Sequence, residues 1–318
     1  MYSPYLYARA SELLALRNLL KNDVDLSALL PILEPVVANV SSLLRCMDEF
    51  GKAERPLIIV VNPLQNEFHD NVGAQQQFRA DLDGVFAKYP SLIPGYLVGP
   101  HSTKAKIENF CEKYAGRALA LLYSSTPLDD AEFKSVISNA RVAYHAVLNE
   151  RIAAAQVAML PKEKLIDVRD EFNKLPRNAD YDGAEFFTDR HKNIGKSFAV
   201  IGDYTITGRV LEVGGGKPGA IAIHATYKNQ KTADVWVEHF VSDDRDRDIG
   251  DAASKFLQAA RKLVGQAKKR PREFGSDAAL DMYAEHVENG TFSGLPKNKE
   301  YQLYHHICLM LSVVTGKL

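Results

Sequence analysis

The sequence predicts an α/β protein built as a TIM-barrel-like (β/α)8 barrel with an inserted β-hairpin and extra C-terminal helices. Three observations carry that prediction. Six strand-like runs recur at a spacing of about 25 residues, separated mostly by helix-like segments, as a parallel sheet of βα units requires. The runs are apolar throughout rather than alternating, the pattern of strands covered on both faces. No glycine-rich phosphate loop follows the first run, which weakens the dinucleotide-binding version of the alternative, an open doubly wound sheet.

The elements follow in order. Residues 8–20 place Leu13, Leu16, Leu19 and Leu20 on one helical face. Residues 29–36 (LLPILEPV) form a short apolar run whose prolines bracket Glu34, and residues 39–50 form a second amphipathic stretch. The pattern then repeats. Residues 55–63 (RPLIIVVNP) read as a buried strand ending in Asn62, and residues 74–89 as a helix. Residues 91–100 lead to Ser102 or Thr103 as N-cap of a helix through Tyr114. Residues 117–125 precede Thr126 and Asp129, which have capping-box spacing with Asp in the usual Glu position. Residues 140–148 and 164–172 complete the six. Two further runs, 196–204 and 220–227, offer the strands that finish a barrel, while residues 234–242 pair with the latter as a hairpin across KNQK. The glycine-rich turn at 214–217 lacks P-loop spacing and reads as a hairpin tip. Beyond it, residues 252–267, 277–287 and 299–314 read as helices. The expected division is a barrel-like domain over residues 1–250 and a helical extension over 251–318 packed on it.

Composition narrows the class. The chain has 318 residues, 46% hydrophobic and 25% charged, with a net charge of −1. That balance argues against a general nucleic-acid grip, which needs a basic surface. The one basic cluster, KKRPR at 268–272, reads as a solvated helix end. Three widely spaced cysteines, Cys46, Cys111 and Cys308, indicate neither a disulfide framework nor a zinc knuckle, and fit a reducing cytoplasm. No signal peptide and no apolar run of about 18 residues is read, so no membrane association is expected.

In a barrel the active site lies at the C-terminal ends of the strands. Polar residues there are Glu34, Asn62, His145, Asp167, Arg169, Asp170, Asp203, His224 and Glu238. Burying such groups unpaired costs several kcal/mol, so they are expected to converge. Asp203 is the strongest carboxylate, because Gly202 before it permits close approach of a ligand or backbone. Asp167 and Asp170 are three positions apart and face opposite sides of an extended strand. Downstream, Arg177 is a candidate anion clamp with Asp180 and Glu185 as partners. Hard carboxylate oxygens from Glu34 and Asp203, with Asp167 or Asp170 and His224 beside them, would suit Mg²⁺ or Mn²⁺. Such an ion would polarise a phosphoryl oxygen and activate water. The catalytic candidates are thus Asp203, Glu34 and His224, and the binding candidates Asn62, Arg177, Asp180, Asp167 and Asp170.

The opening MYSPYLYARASELLALRNLL, then PILEPV, VVNP, RNADY, EFFTDRH, GDYTITG, AIHATY and EHFVSDD in this order, resemble an uncharacterised bacterial family. The likeness spans nearly the whole chain. It implies a bacterial cytoplasmic protein encoded beside a small protein of nuclease-like fold, as one half of a two-gene system of the phage-defence kind. It also places Asn178, Ala179, Asp180, Tyr181, Phe186, Phe187, Asp203, Tyr204, His224, His239 and Phe240 in the family's recurrent motifs.

Two functional classes are expected. One is a metal-dependent hydrolase of a phosphate-containing substrate. The other is a non-catalytic module that senses a ligand or binds the neighbouring gene's product. In either case the loop over residues 173–191 is expected to fold over the barrel mouth, held by Phe186 and Phe187, with Arg177 and Asp180 near Asp203.

Overall fold

The opening residues supply a strand that apolar patterning alone does not announce: Tyr2–Leu6 (β1) is buried along its whole length. The computed structural model describes residues 1–212, 214, 216 and 218–318. The turn read at 214–217 therefore lies partly outside the described residues. After β1 come α1 (Ala10–Lys21), β2 (Ile32–Leu33), α2 (Ser41–Lys52), β3 (Leu57–Val60), α3 (Val72–Lys88), β4 (Leu92–Val98) and α4 (Lys104–Lys113). Then follow β5 (Leu119–Tyr123), α5 (Asp130–Ile137), β6 (Val142–Leu148), α6 (Ala154–Met159), β7 (Leu165–Arg169), β8 (Ala184–Thr188) and β9 (Val200–Asp203). The rest comprises β10 (Ala222–Lys228), β11 (Val235–Val241), α7 (Ala252–Lys269), α8 (Pro271–Phe274), α9 (Ala278–Asn289) and α10 (Leu295–Val314).

Eight parallel strands close in the order β1-β2-β3-β4-β5-β6-β7-β9, a TIM-barrel-like (β/α)8 arrangement. Between β7 and β9 the chain runs through β8 and short 3-10 turns instead of an α-helix. β10, β11 and β8 form a separate antiparallel sheet in that order. Residues 196–204 thus contribute a barrel strand, whereas 220–227 go to the hairpin sheet, paired directly with β11. The chain divides into two compact units. One is Met1–Leu13, Asp25–Asp170 and Lys192–Tyr204; the other is Leu14–Val24, Glu171–His191 and Thr205–Leu318. The barrel strands belong to the first and the antiparallel sheet to the second.

Helix starts are fixed by short polar side chains that accept the free N–H groups of the first turn. Thr103 takes Lys106 N at the start of α4, and Asn71 takes Ala74 N at α3. At α5 the cap is Asp129, which accepts Glu132 N, while Thr126 bonds Leu128 N one turn earlier. Asp129 is therefore the cap itself and not the third residue of a box. Asp251 and Ser254 close a reciprocal capping box on α7.

Strand alternation decides which side chains enter the barrel. Tyr96 meets Phe110 of α4 and Tyr123 meets Phe133 of α5, so their face is the outer, helix-covered one. The register carries the opposite face around the wall: Ser3 stands beside Gly202, Gly202 beside Val168, Ile32 beside Ile58, and Gly95 beside Ala120. This inner face uses glycine where the wall is crowded. A Cβ on Gly95 would meet Ile58 and Leu122 at 2.9 Å. One on Gly202 would meet the Ser3 carbonyl at 2.7 Å and Val168 at 2.9 Å.

In the second unit, α10 is buried on nearly every side, and it covers the open edge of β10. Gln302 accepts His224 N at 2.8 Å, and His305 Nε2 donates to Thr226 O at 2.9 Å. An edge strand left bare would present these groups to other chains.

Gly202→Ala is expected to cost about 1–3 kcal/mol through overpacking against a backbone atom that cannot step aside. Urea denaturation of the variant against the parent chain measures it; unchanged stability would show that the wall has slack at β9.

Candidate functional site

At the C-terminal end of the barrel wall, β1 and β2 point one group each into the lumen. Tyr5 stands opposite Ile32 on the inner face, and Glu34, two residues after Ile32, shares that face. Glu34 N continues the ladder by donating to Leu6 O at 2.8 Å. Its carboxyl is 1% exposed. Tyr5 OH donates to Glu34 Oε2 at 2.6 Å, and Gln65 Nε2, from the β3–α3 connection, donates to the same oxygen at 2.9 Å. Glu34 Oε1 is buried with no partner. The ring of Tyr204, just past β9, lies 4.9 Å from that of Tyr5, and Tyr7 lies 5.9 Å away.

Burial raises the Glu34 pKa from 4.5 to about 7, against the opposing hydrogen bonds from Tyr5 and Gln65. The same burial, with Glu34 beside it, lifts Tyr5 well above its ordinary value. Tyr5 therefore keeps its proton and acts as a donor. Oε2 is occupied as an acceptor by two donors, so the proton of the neutral acid resides on Oε1, the oxygen that faces no partner.

The other candidate residues of the first unit are built into the wall. Asn62 extends the β3–β4 ladder by one step, its amide donating to Leu97 O at 2.9 Å and accepting Leu97 N at 2.8 Å. Asp203 pairs in register with Pro4 and Arg169, and lies on the face opposite Gly202 and Ser3. It is fully buried and accepts Tyr2 OH at 2.8 Å. The close approach that Gly202 allows is to a backbone, the carbonyl of Ser3. Asp167 shares Asp203's outer face and accepts Arg169 Nε at 2.8 Å; Arg169 also bridges to Glu150. Asp170 N donates to the Asn149 side chain at 3.1 Å. His145 is a core histidine on the outer face, bonded to Tyr123 OH at 2.9 Å, with a pKa lowered by burial to about 4.

Glu34 and Asp203 thus lie on opposite faces of one wall, and the register does not bring them to a shared ion. Among the described residues no three His, Cys, Asp or Glu side chains gather into a group that could hold a metal. Among them, too, no helix is long and apolar enough to cross a membrane.

The remaining candidates belong to the second unit. Arg177 is exposed and spends its fork on Asp180, at 3.0 and 2.5 Å, which staples the turn Asn178–Asp180. A solvent-exposed pair three residues apart adds little to stability. Phe187 is buried against the His306 ring at 5.2 Å, whereas Phe186, on the other face of β8, is 49% exposed beside Trp236. His224 is directly opposite His239 on β11, and their Nδ1 atoms are 2.8 Å apart. His239 Nε2 meets Glu185 Oε1 at 3.3 Å. Tyr5, Gln65 and the pairing of His224 with His239 were not singled out from sequence. The hairpin read at 220–242 held the signal for the pair, since its register sets the two histidines opposite each other.

Two expected outcomes follow from this geometry. The folded chain retains the Glu34 proton between pH 4.5 and about 7, a range in which the unfolded chain has released it. Unfolding free energy therefore falls as pH rises through that window, by about 3 kcal/mol in all. Denaturation at about pH 5 and about pH 8 measures the slope, which Glu34→Gln should flatten; an equal slope in both chains would assign it elsewhere. Tyr2→Phe removes a buried donor from Asp203 and should cost about 1–3 kcal/mol by the same measurement, while a neutral result would mean that other partners of Asp203 suffice. No protein-family model, curated protein or solved structure matches this chain.

Proposed function

We propose that the protein is a hydrolase that works by acid–base chemistry at the C-terminal mouth of its barrel, with Glu34 as the proton-transfer group. The observation that supports this reading is the arrangement of Glu34 itself: a carboxyl with a pKa near 7, one oxygen saturated by Tyr5 and Gln65 and the other unpartnered. The C-terminal mouth is where barrel enzymes carry their chemistry. An acid titrating near the working pH is also the best placed to both give and retake a proton.

The step balances on this chain's residues and water. Glu34 Oε1–H gives its proton to the leaving oxygen as the scissile bond breaks and water adds to the reacting centre. The carboxylate formed is stabilised by the donors already on Oε2, and it regains a proton from the attacking water. A phosphate ester is the substrate class expected from sequence, and a carboxyl that stays neutral does not repel it. No step here passes through Mg²⁺ or Mn²⁺.

With p-nitrophenyl phosphate and bis(p-nitrophenyl) phosphate as probes, the rate should fall as pH rises through about 7, because the protonated acid is the active form. Glu34→Gln should lower it by about 10²–10⁴-fold, and EDTA should leave it unchanged. Turnover of neither ester by the parent chain, or parental rates in Glu34→Gln, would refute the reading.

A further inference from the structure

The three-stranded sheet of the second unit sets three titratable groups in a row. His224 on β10 stands directly across from His239 on β11. Glu185 on β8 pairs with Val237, so it shares the face of His239 two residues on. The contacts run in one chain: Glu185 Oε1 to His239 Nε2 at 3.3 Å, then His239 Nδ1 to His224 Nδ1 at 2.8 Å. Two ring nitrogens at that distance form a hydrogen bond only if one of them carries a proton. His239 turns its other nitrogen to a carboxylate, which accepts and does not donate, so its proton belongs on Nε2 and its Nδ1 is the acceptor. The proton between the rings then belongs to His224 Nδ1. This tautomer, assigned by the network, leaves His224 Nε2 with a free lone pair, and that atom makes no hydrogen bond among the described residues.

The surroundings keep that lone pair available. Tyr181 and Phe172 lie edge-on to the His224 ring at 4.5 and 5.0 Å. The Tyr181 hydroxyl is tied to Leu175 N at 2.8 Å. Burial holds the His224 pKa well below 6.5, with His239 reinforcing it. Burial also lowers His239, while Glu185, Glu238 and Asp182 oppose the shift. Glu185 is the acid that contacts the pair, and the cavity at His239 is lined by Arg245, Arg261, Lys262 and Lys269 beside Asp182 and Glu238. Glu238 is itself paired with Arg270. An uncharged substrate with an apolar flank finds the Tyr181 and Phe172 rings to rest on.

We propose that Glu185, His239 and His224 form a proton relay that makes His224 Nε2 a general base for hydrolysis of uncharged acyl esters. His224 is the catalytic residue; His239 and Glu185 position it. In the step, His224 Nε2 takes a proton from water as the water oxygen bonds to the acyl carbon. The His224 Nδ1 proton shifts to His239 Nδ1, and the resulting imidazolium is held by Glu185. On collapse the C–O bond to the alcohol breaks, the alkoxide takes the proton from His224 Nε2, and the Nδ1 proton returns. Water and ester become acid and alcohol, with no other reactant. The site shares no residue with the Glu34 reading, so either can fail alone.

The test uses the full chain with p-nitrophenyl acetate as the uncharged probe, and diethyl pyrocarbonate, an electrophile that acylates a free imidazole nitrogen, followed by peptide mass mapping. The expected result is acetate hydrolysis that falls by about a hundredfold in His224→Gln and at least about tenfold in Glu185→Gln. His224 should be acylated, more slowly in Glu185→Gln because that variant loosens the relay without removing the base. Circular dichroism checks folding; if His224→Gln does not fold, Glu185→Gln, altered at a partly exposed side chain, decides through rate and acylation together. Equal acetate rates in the parent and the folded variants, or no acylation of His224, would overturn the proposal.

Discussion

Closure of the barrel at β9 against β1 is the constraint on which the polar chemistry of the first unit depends. There the backbone of Gly202 runs so close to the Ser3 carbonyl that no side chain fits between them. Once this pairing is set, alternation fixes the inward or outward direction of each residue on the barrel strands, because a slip of one residue would turn each side chain to the other face. Glu34 and Tyr5 enter the lumen for the same reason that Asp203 and Asp167 leave it. The register that closes the wall also selects the acid.

The groups sent outward are held in pairs: Tyr2 with Asp203, Tyr123 with His145, and Arg169 with Asp167. Each satisfies a polar atom that would otherwise be costly to bury. For this reason Asp203 and Asp167 stand out in the sequence and yet cannot be assigned from it. A polar residue inside an apolar run signals a buried partner, but the side of the strand on which that partner waits depends on pairing with strands distant in sequence. Tyr2 lies 201 positions from Asp203, and no local pattern connects them.

The parallel strands from β2 to β7 and the closing strand β9 were legible, because short apolar runs at βα spacing fit a parallel sheet covered on both faces and little else. β1 was not: Pro4 and the tyrosines interrupt the aliphatic character that marked the other runs, and its burial comes from the neighbours it acquires on closure. The loop after β7 was recognisable as ordered from its aromatic content. Its internal strand was hidden, since Phe186 and Phe187 read as one anchor until alternation separates them into an exposed and a buried ring. At α5 the competing caps Thr126 and Asp129 have nearly equal local claims, and only the helix start decides between them. Arg177 found its acid three residues away, the cheapest partner for an exposed side chain.

One physical cause underlies both proposed proton-transfer groups. Removing a side chain from water disfavours its charged form, whichever sign that charge has. For Glu34 this means a retained proton and a pKa near 7, hence a donor; for His224 it means a refused proton and a pKa well below 6.5, hence an acceptor. Burial alone does not orient either group. Direction comes from the hydrogen bonds that occupy one end: Tyr5 and Gln65 take Oε2 of Glu34, so its proton is left on Oε1, and His239 takes the Nδ1 proton of His224, so its lone pair is left on Nε2. Desolvation sets the protonation state and the partner sets the reactive atom, and a buried titratable group becomes chemically useful where the two act on opposite ends of the same side chain.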